Sequence, residues 1–405
     1  MKRLFKNPKI MISAVIAIIL AIAVFVLLIF SSARFRVIAA LYNTLDTELI
    51  DNCITEPLTA DVRFVINSLK CESLADDSYF SGAGIKISAM ADIDNQTLDM
   101  KLTPTYLIYA APSVCIRQRD DMFGLSSPEL YDKELVFDTA HPFEGYENSV
   151  FQEMTGVDLP DSYADISVDL MKYPSEIKKS YSRKELRKKI LEADIKKTAG
   201  YAVLTTPDEH EYTCESYSLT FTTGEIITVY IDKSGKLRCL NYSDASIYFC
   251  GSQNVTDEFC LVIDRYLLST DNIIQFVSPT DDATALPRLP DDLELTLKVF
   301  GTTENYKQNS FSLDKEFTID ADTVEITLCT GNNEILYING NATFSVWTDD
   351  SPICEDLPDE YLYSMNHNDI QNAIYMIYGN LQNNQLMKLI ITQSALGYTE
   401  RLHVY

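Results

Sequence analysis

No CxxC, HExxH, GxSxG, Walker A loop or GxGxxG occurs anywhere in the 405 residues. These absences remove the local signatures of zinc knuckles, thioredoxin-type redox pairs, zinc proteases, serine hydrolases and nucleotide binders. Histidine is scarce: His141, His210, His367 and His403 are the full set, and no two lie within five residues of each other. A metal-hydrolase centre would therefore have to assemble from scattered ligands. Glycine and proline, at 14 each, are too few for a collagen-like repeat or a low-complexity chain. Cations are also few, 33 against 59 acids, so the net charge is −26. Such a surface repels nucleic-acid backbones, and no nucleic-acid partner is expected.

What is present favours sheet. Hydrophobic residues make up 46% of the chain, with 24 Tyr and 18 Phe. Aromatic and β-branched side chains suit pleated, half-buried surfaces. The chain is long enough to bury a real core, and its acidic excess serves solubility.

One long apolar run exists, Ile10–Phe30, with Ser13 its only clearly polar member. As a helix it would span roughly 31 Å, the thickness of a hydrocarbon core. It is too long for the apolar region of a cleaved signal peptide, usually about 7–15 residues. Lys2, Arg3, Lys6 and Lys9 precede it without an acid, while Arg34 and Arg36 follow it. The positive-inside rule places residues 1–9 in the cytoplasm and the body outside. The lipid bilayer is thus the expected partner of residues 10–30, in a single-pass protein of the cell membrane.

Nine cysteines, Cys53, Cys71, Cys115, Cys214, Cys239, Cys250, Cys260, Cys329 and Cys354, leave at least one without a partner. In an oxidising compartment some should pair. Cys239, Cys250 and Cys260 fall in successive strand-like segments, so two of them could meet across a ladder. The competing reading makes most of them small buried hydrophobes.

Residues 31–50 form a juxtamembrane segment whose Val37–Ile50 stretch has helical apolar spacing, suited to packing on a sheet. Alternation follows. Ile85, Ile87, Ala89, Ala91 and Ile93, then Leu98, Met100 and Leu102, predict a hairpin with one dry and one wet face. Tyr217/Leu219/Phe221, Ile227/Val229/Ile231 and Leu237/Cys239 predict a second meander, with turns at Thr223-Gly224 and Asp232–Lys236. Leu293–Val299, Phe311/Leu313, Val324–Leu328 and Ile335–Ile338 predict a third. Short turns imply antiparallel pairing. Two helices interrupt the strands. One opens at Ser182 with a capping box and runs to about Lys197; the other opens at Asn368 with a stripe through Ile374, Ile377, Tyr378 and Leu381. An apolar continuation, Leu386–Ile391, follows the latter. The Pro-rich segment 278–292 divides region 51–277 from region 293–405, as a linker or as a long loop within one domain. The expected fold class is α+β: an N-terminal transmembrane helix, then curved, meander-rich antiparallel sheet packed against a few helices.

Candidate sites are sparse. Lys172–Lys197 concentrates ten cations against four acids, and Lys184, Arg187 and Lys188 form a candidate contact for an anionic partner such as teichoic acid or a lipid headgroup. A solvated helix face is the competing reading. Asp92, Asp94 and Asn95 fail as a calcium loop, because Thr97 stands where an EF-hand needs Gly and no Glu closes it. Sequons at Asn95, Asn241, Asn254 and Asn341 fit chance. Carboxylates are too numerous for any pair to be singled out, so no catalytic, cofactor or metal residue is assigned and no cofactor is expected.

Ala39-Ala40-Leu41-Tyr42-Asn43-Thr44, the piece Phe123–Thr139 with Tyr146–Ser149, and the tail Asn380–Ile390 follow a basic leader and a spanning run. This ordering resembles a group of membrane-anchored, exported proteins of Gram-positive, largely clostridial bacteria that have no assigned activity. The resemblance also implies likeness to lipoprotein-carrier folds, in which a curved antiparallel sheet wraps helices over an apolar groove. The expected function is an extracytoplasmic binding or envelope-associated module holding an apolar ligand or cell-envelope component between sheet and helices. The alternatives are an adhesion or scaffold protein acting through its exterior and, third, a cell-wall hydrolase.

Overall fold

A computed structural model describes residues 32–44, 56–71, 80–159, 167–172, 174–175, 183–251, 257–268, 290, 292–304 and 317–390. The apolar run 10–30, Cys53, Phe311, Leu313, Asn254, His403 and nearly all of 278–292 lie outside these residues. Among the described residues no helix is long and apolar enough to cross a membrane.

The predicted first hairpin is present as β2 (Ala83–Asp92) and β3 (Thr97–Tyr106), with Ile87 opposite Leu102 and Ala89 opposite Met100. Its turn is closed by Asp92, whose carboxylate accepts hydrogen bonds from the Asp94 and Asn95 amides. An unbroken antiparallel path continues through β5 (Val114–Arg119), β6 (Met122–Ser126) and β7 (Glu134–Asp138), with β4 (Tyr109–Ala110) a two-residue addition to β3. On the other side of β2 lies β1 (Leu58–Cys71). β1 was not among the predicted strands, although Leu58, Ala60, Val62 and Phe64 alternate with Thr59, Asp61 and Arg63.

After the short helix α1 (Ala33–Thr44), which precedes β1, the next helices are α2 (Val150–Thr155) and α3 (Arg183–Glu192). The chain then starts a second meander: β8 (Asp194–Thr205), β9 (Glu211–Thr220), β10 (Ile226–Asp232), β11 (Leu237–Tyr242), β12 (Ala245–Phe249), β13 (Glu258–Leu267), β14 (Leu293–Glu304), β15 (Phe317–Thr330) and β16 (Asn333–Thr348). Each pairs antiparallel with the next. β16 closes on β1 over almost its full length, from Leu58↔Thr348 to Cys71↔Leu336. Finally β17 (Asp359–Tyr361) adds to β7 in parallel, and α4 (His367–Asn383) follows. All seventeen strands form one sheet. The segment 278–292 joins β13 and β14, which pair directly, so both regions flanking it share that sheet.

The protein is therefore mostly β-sheet with a few helices. Three expectations are corrected. The basic helix ends at Glu192, not near Lys197, because Ile195 pairs with Leu219 and packs against the core, drawing Lys196 and Lys197 into a strand. Leu237 and Cys239 face opposite sides: a register shift pairs Leu237 with Ile231 but Cys239 with Tyr230. The stripe of the second helix is rotated. Its core-facing residues are Ile370, Ala373 and Ile377, whereas Ile374 and Tyr378 are exposed. Its start is secured by a reciprocal cap in which Asn366 accepts from the amides of Asn368 and Asp369, and Asp369 accepts from the Asn366 amide. After Asn384 a second helical stretch, 385–390, buries Leu386.

Candidate functional site

Side chains alternate across a strand, so the register dictates which residues share a face. On one face apolar residues oppose one another strand after strand, across register shifts in β1, β13 and β15. Ile263 sits opposite Leu297, Leu297 opposite Ile326, and Ile326 opposite Ile338. Phe344 sits opposite Ile319 and Val62, Val62 opposite Ile87, and Ile87 opposite Leu102. The same face continues through Met100, Ile116, Leu125 and Leu135 on the first meander and through Leu240, Val229, Tyr217 and Leu219 on the second. A single apolar wall thus spans the whole sheet. Opposite it the central strands carry polar groups, including Asp61, Arg63, Lys86 and Thr343, with a Lys86–Asp61 ion pair at 3.7 Å.

Helices cover this wall at its two ends. At the β8–β11 end, Val37, Ala40 and Leu41 of α1 pack with Tyr217, Leu219, Val229, Ile231 and Leu237, joined by Ile190 of α3. At the β7 end, Ile370 and Ala373 of α4 pack with Tyr131 and Met365, joined by Leu135 and by Val150 and Phe151 of α2. Between them the wall residues of β1, β2, β14 and β16 (Val62, Phe64, Ile87, Leu297, Ile338 and Phe344 among them) are half-buried and belong to neither cluster. The wall is not flat. The Phe64 ring lies over Gly340, and the Phe259 ring over Gly301, where any Cβ would meet it at 3.0 Å or less. These rings occupy part of the surface between the helices.

Two polar clasps hold the ends. In the first, Arg36 of α1 pairs with Glu215, which also takes Lys197 and accepts from the Tyr217 hydroxyl at 2.6 Å. Burial works to raise the Glu215 pKa, but hydrogen bonds from Lys197 and Tyr217 and the charges of Arg36 and Lys197 outweigh it and hold it below the usual carboxylate range. Arg36, read in the sequence only as a flank of the apolar run, is the residue that ties α1 to the sheet.

The second clasp lies on the opposite face, where the hairpin was expected to be wet. Asp99 is instead buried, because the strap 349–358 crosses it: Asp99 accepts from the Ile353 amide at 3.0 Å and the Cys354 amide at 3.2 Å. Beside it the buried Arg117 donates to Asp356 at 3.0 Å, to Glu134 at 3.4 Å and to the Cys354 carbonyl. Three carboxylates share one guanidinium. Glu134 is accordingly pushed upward by burial and by Asp359 and Asp99, despite Arg117, while Arg117 is held charged by Glu134 and Asp99 against its own burial. Neither clasp was foreshadowed, since their members are scattered through the sequence.

Of the predicted contacts, Lys184 and Lys188 are exposed and one helical turn apart on α3, while the side chain of Arg187 lies outside the described residues. His210 and Asp208 meet the geometric test for a hydrolase pair, with Nδ1 2.8 Å from Oδ2. They sit two residues apart in a turn, and the neighbouring thiol, Cys250 at 3.8 Å, donates to Asp208 rather than to the imidazole. Burial pushes that thiol up to about 12, so it is not an activated nucleophile. Six of the eight described cysteines, Cys115, Cys214, Cys239, Cys250, Cys260 and Cys354, are buried. Cys239 and Cys260 do not meet, because Tyr248 stands between them on the ladder. Burial raises Cys214 to about 11 and Cys239 and Cys260 to about 12. Among the described residues no group of His, Cys, Asp and Glu could hold a metal ion. No protein-family model and no curated protein matches the chain.

Proposed function

We propose that this chain is a membrane-anchored, extracytoplasmic binding module that holds an apolar ligand, or an apolar part of a cell-envelope component, against the central strands of its sheet. The observation that carries this reading is the apolar wall on one face of the sheet, covered by helices at its two ends and half-buried between them. Apolar sites with a few polar groups at their margins suit acyl or isoprenoid chains. The run Ile10–Phe30, with cytoplasmic residues 1–9, supplies the anchor in this reading. The sequence likeness to clostridial-type exported proteins and to lipoprotein-carrier folds is consistent with it.

The test uses the full chain in nanodiscs with a photoactivatable fatty acid, adducts being mapped by peptide mass spectrometry. Adducts on β1, β2, β14 and β16 are expected. Labelling confined to residues 10–30 would overturn the reading.

A second reading, an adhesion or scaffold protein acting through its exterior, is favoured by one feature. Ile374, Tyr375 and Tyr378 form an exposed ridge on α4, between 55% and 66% accessible. Tyr375→Ser with Tyr378→Ser would abolish surface adhesion under that reading while leaving the fatty-acid adducts intact.

A further inference from the structure

The strap 349–358 carries a cysteine to a buried position beside a second one. Cys115 on β5 is wholly inaccessible and Cys354 on the strap is 5% accessible. Cys115 lies on the same face of β5 as Arg117, the residue opposite Asp99, and these two hold the strap at Cys354. The Cys354 sulfur is also 3.4 Å from the carbonyl of Met100, whose successor Lys101 pairs with Cys115 across β3 and β5. Backbone on both sides of Cys354 is fixed: Asp99 takes its amide and Arg117 its carbonyl.

We propose that Cys115 and Cys354 are a disulfide site that locks the strap, and through it β17 and α4, onto the first meander once the body reaches an oxidising compartment. The oxidant belongs to the class of small organic disulfides. Cys115 as thiolate attacks one sulfur of the small disulfide, breaking its S–S bond and expelling one thiolate. Cys354 loses its proton to solvent and attacks the Cys115 sulfur of the mixed disulfide, expelling the second thiolate. Two electrons pass from the protein thiols to the small disulfide, whose two halves leave as thiols. Access requires an open strap, so closure and oxidation belong to the last stage of folding. A cross-link spanning so long a loop restricts the unfolded chain strongly. The inference rests on the extracytoplasmic placement proposed above and not on the ligand.

The experiment takes the full chain, refolded with glutathione disulfide, alkylates it in denaturant with N-ethylmaleimide, digests it unreduced and maps the peptides by mass spectrometry. One peptide joining Cys115 to Cys354 is expected, lost on reduction with the gain of two thiols. Alkylation of both cysteines, or linkage of either to another cysteine, would overturn the proposal. Cleavage after Glu355 by a Glu-specific protease should be slower in the oxidised protein than in the reduced protein or in Cys354→Ser. Equal rates would show that the strap is not locked. The mapping needs no variant, so a folding defect in Cys354→Ser leaves it decisive.

Discussion

Arg117 shows how a single residue organises one end of the molecule. A buried guanidinium needs compensating charge, and here Asp99, Glu134, Asp356 and a strap carbonyl converge on it, although its Nε has no hydrogen-bond partner and lies 3.7 Å from Asp99. Removing it strands carboxylates in a buried site, so Arg117→Ala should cost about 3–5 kcal/mol, read as a lowered urea midpoint. Gly124 is the complementary test. A Cβ there would lie 2.4 Å from Glu134 Oε1, because the Glu134 side chain runs over the glycine. Gly124→Ala should displace Glu134 and destabilise the fold by about 1–3 kcal/mol. An unchanged midpoint would mean that Glu134 moves aside freely.

At the scale of elements, α1 and α4 are held by different means. α1 buries Val37 and Leu41 and adds the Arg36–Glu215 clasp. Glu215 has its folded pKa depressed, so its contribution is full above the unfolded value near 4.3 and is lost as pH falls through the lower folded value. Thermal melts of the parent should therefore lose stability below about pH 4 more steeply than those of Glu215→Gln. Parallel curves would remove the clasp from the account. α4 rests on its inner stripe. Ile370→Ala should cost about 2–4 kcal/mol, whereas Ile374→Ala, at a site 55% exposed, should stay within about 0.5 kcal/mol. Comparable losses at both positions would contradict the rotated stripe.

For the molecule as a whole, the order of strands matters more than their number. The chain begins the sheet at its centre with β1, builds one half outward to β7, and then jumps to the far edge at β8. From there it walks back until β16 reaches β1. The central seam joins residues far apart in sequence, so its loop-closure entropy is met late and folding should be slow. The proposed topology has its own measurement. Protease added to intact cells should digest the body from the outside while residues 1–9 stay protected, and a spared body would overturn the extracytoplasmic placement.

The sequence by itself determined what is local. Alternation in Ile85–Leu102 and Tyr217–Ile231 wrote the hairpins and their turns, down to Gly224 and Gly235 in left-handed conformations. The apolar spacing over Val37–Ile50 wrote a helix with one face for a sheet, seen as Ala33–Thr44, with residues 45–50 outside the described ones. Short turns made the pairing antiparallel. What the tertiary structure alone decided is which of these pieces meet. The seam between β1 and β16, the burial of Asp99 beneath a strap some 250 positions away, and the use of Arg36 as an internal ion pair leave no periodic mark. Periodicity records only which side of an element is dry; the partner that dries it is chosen by packing across the whole chain.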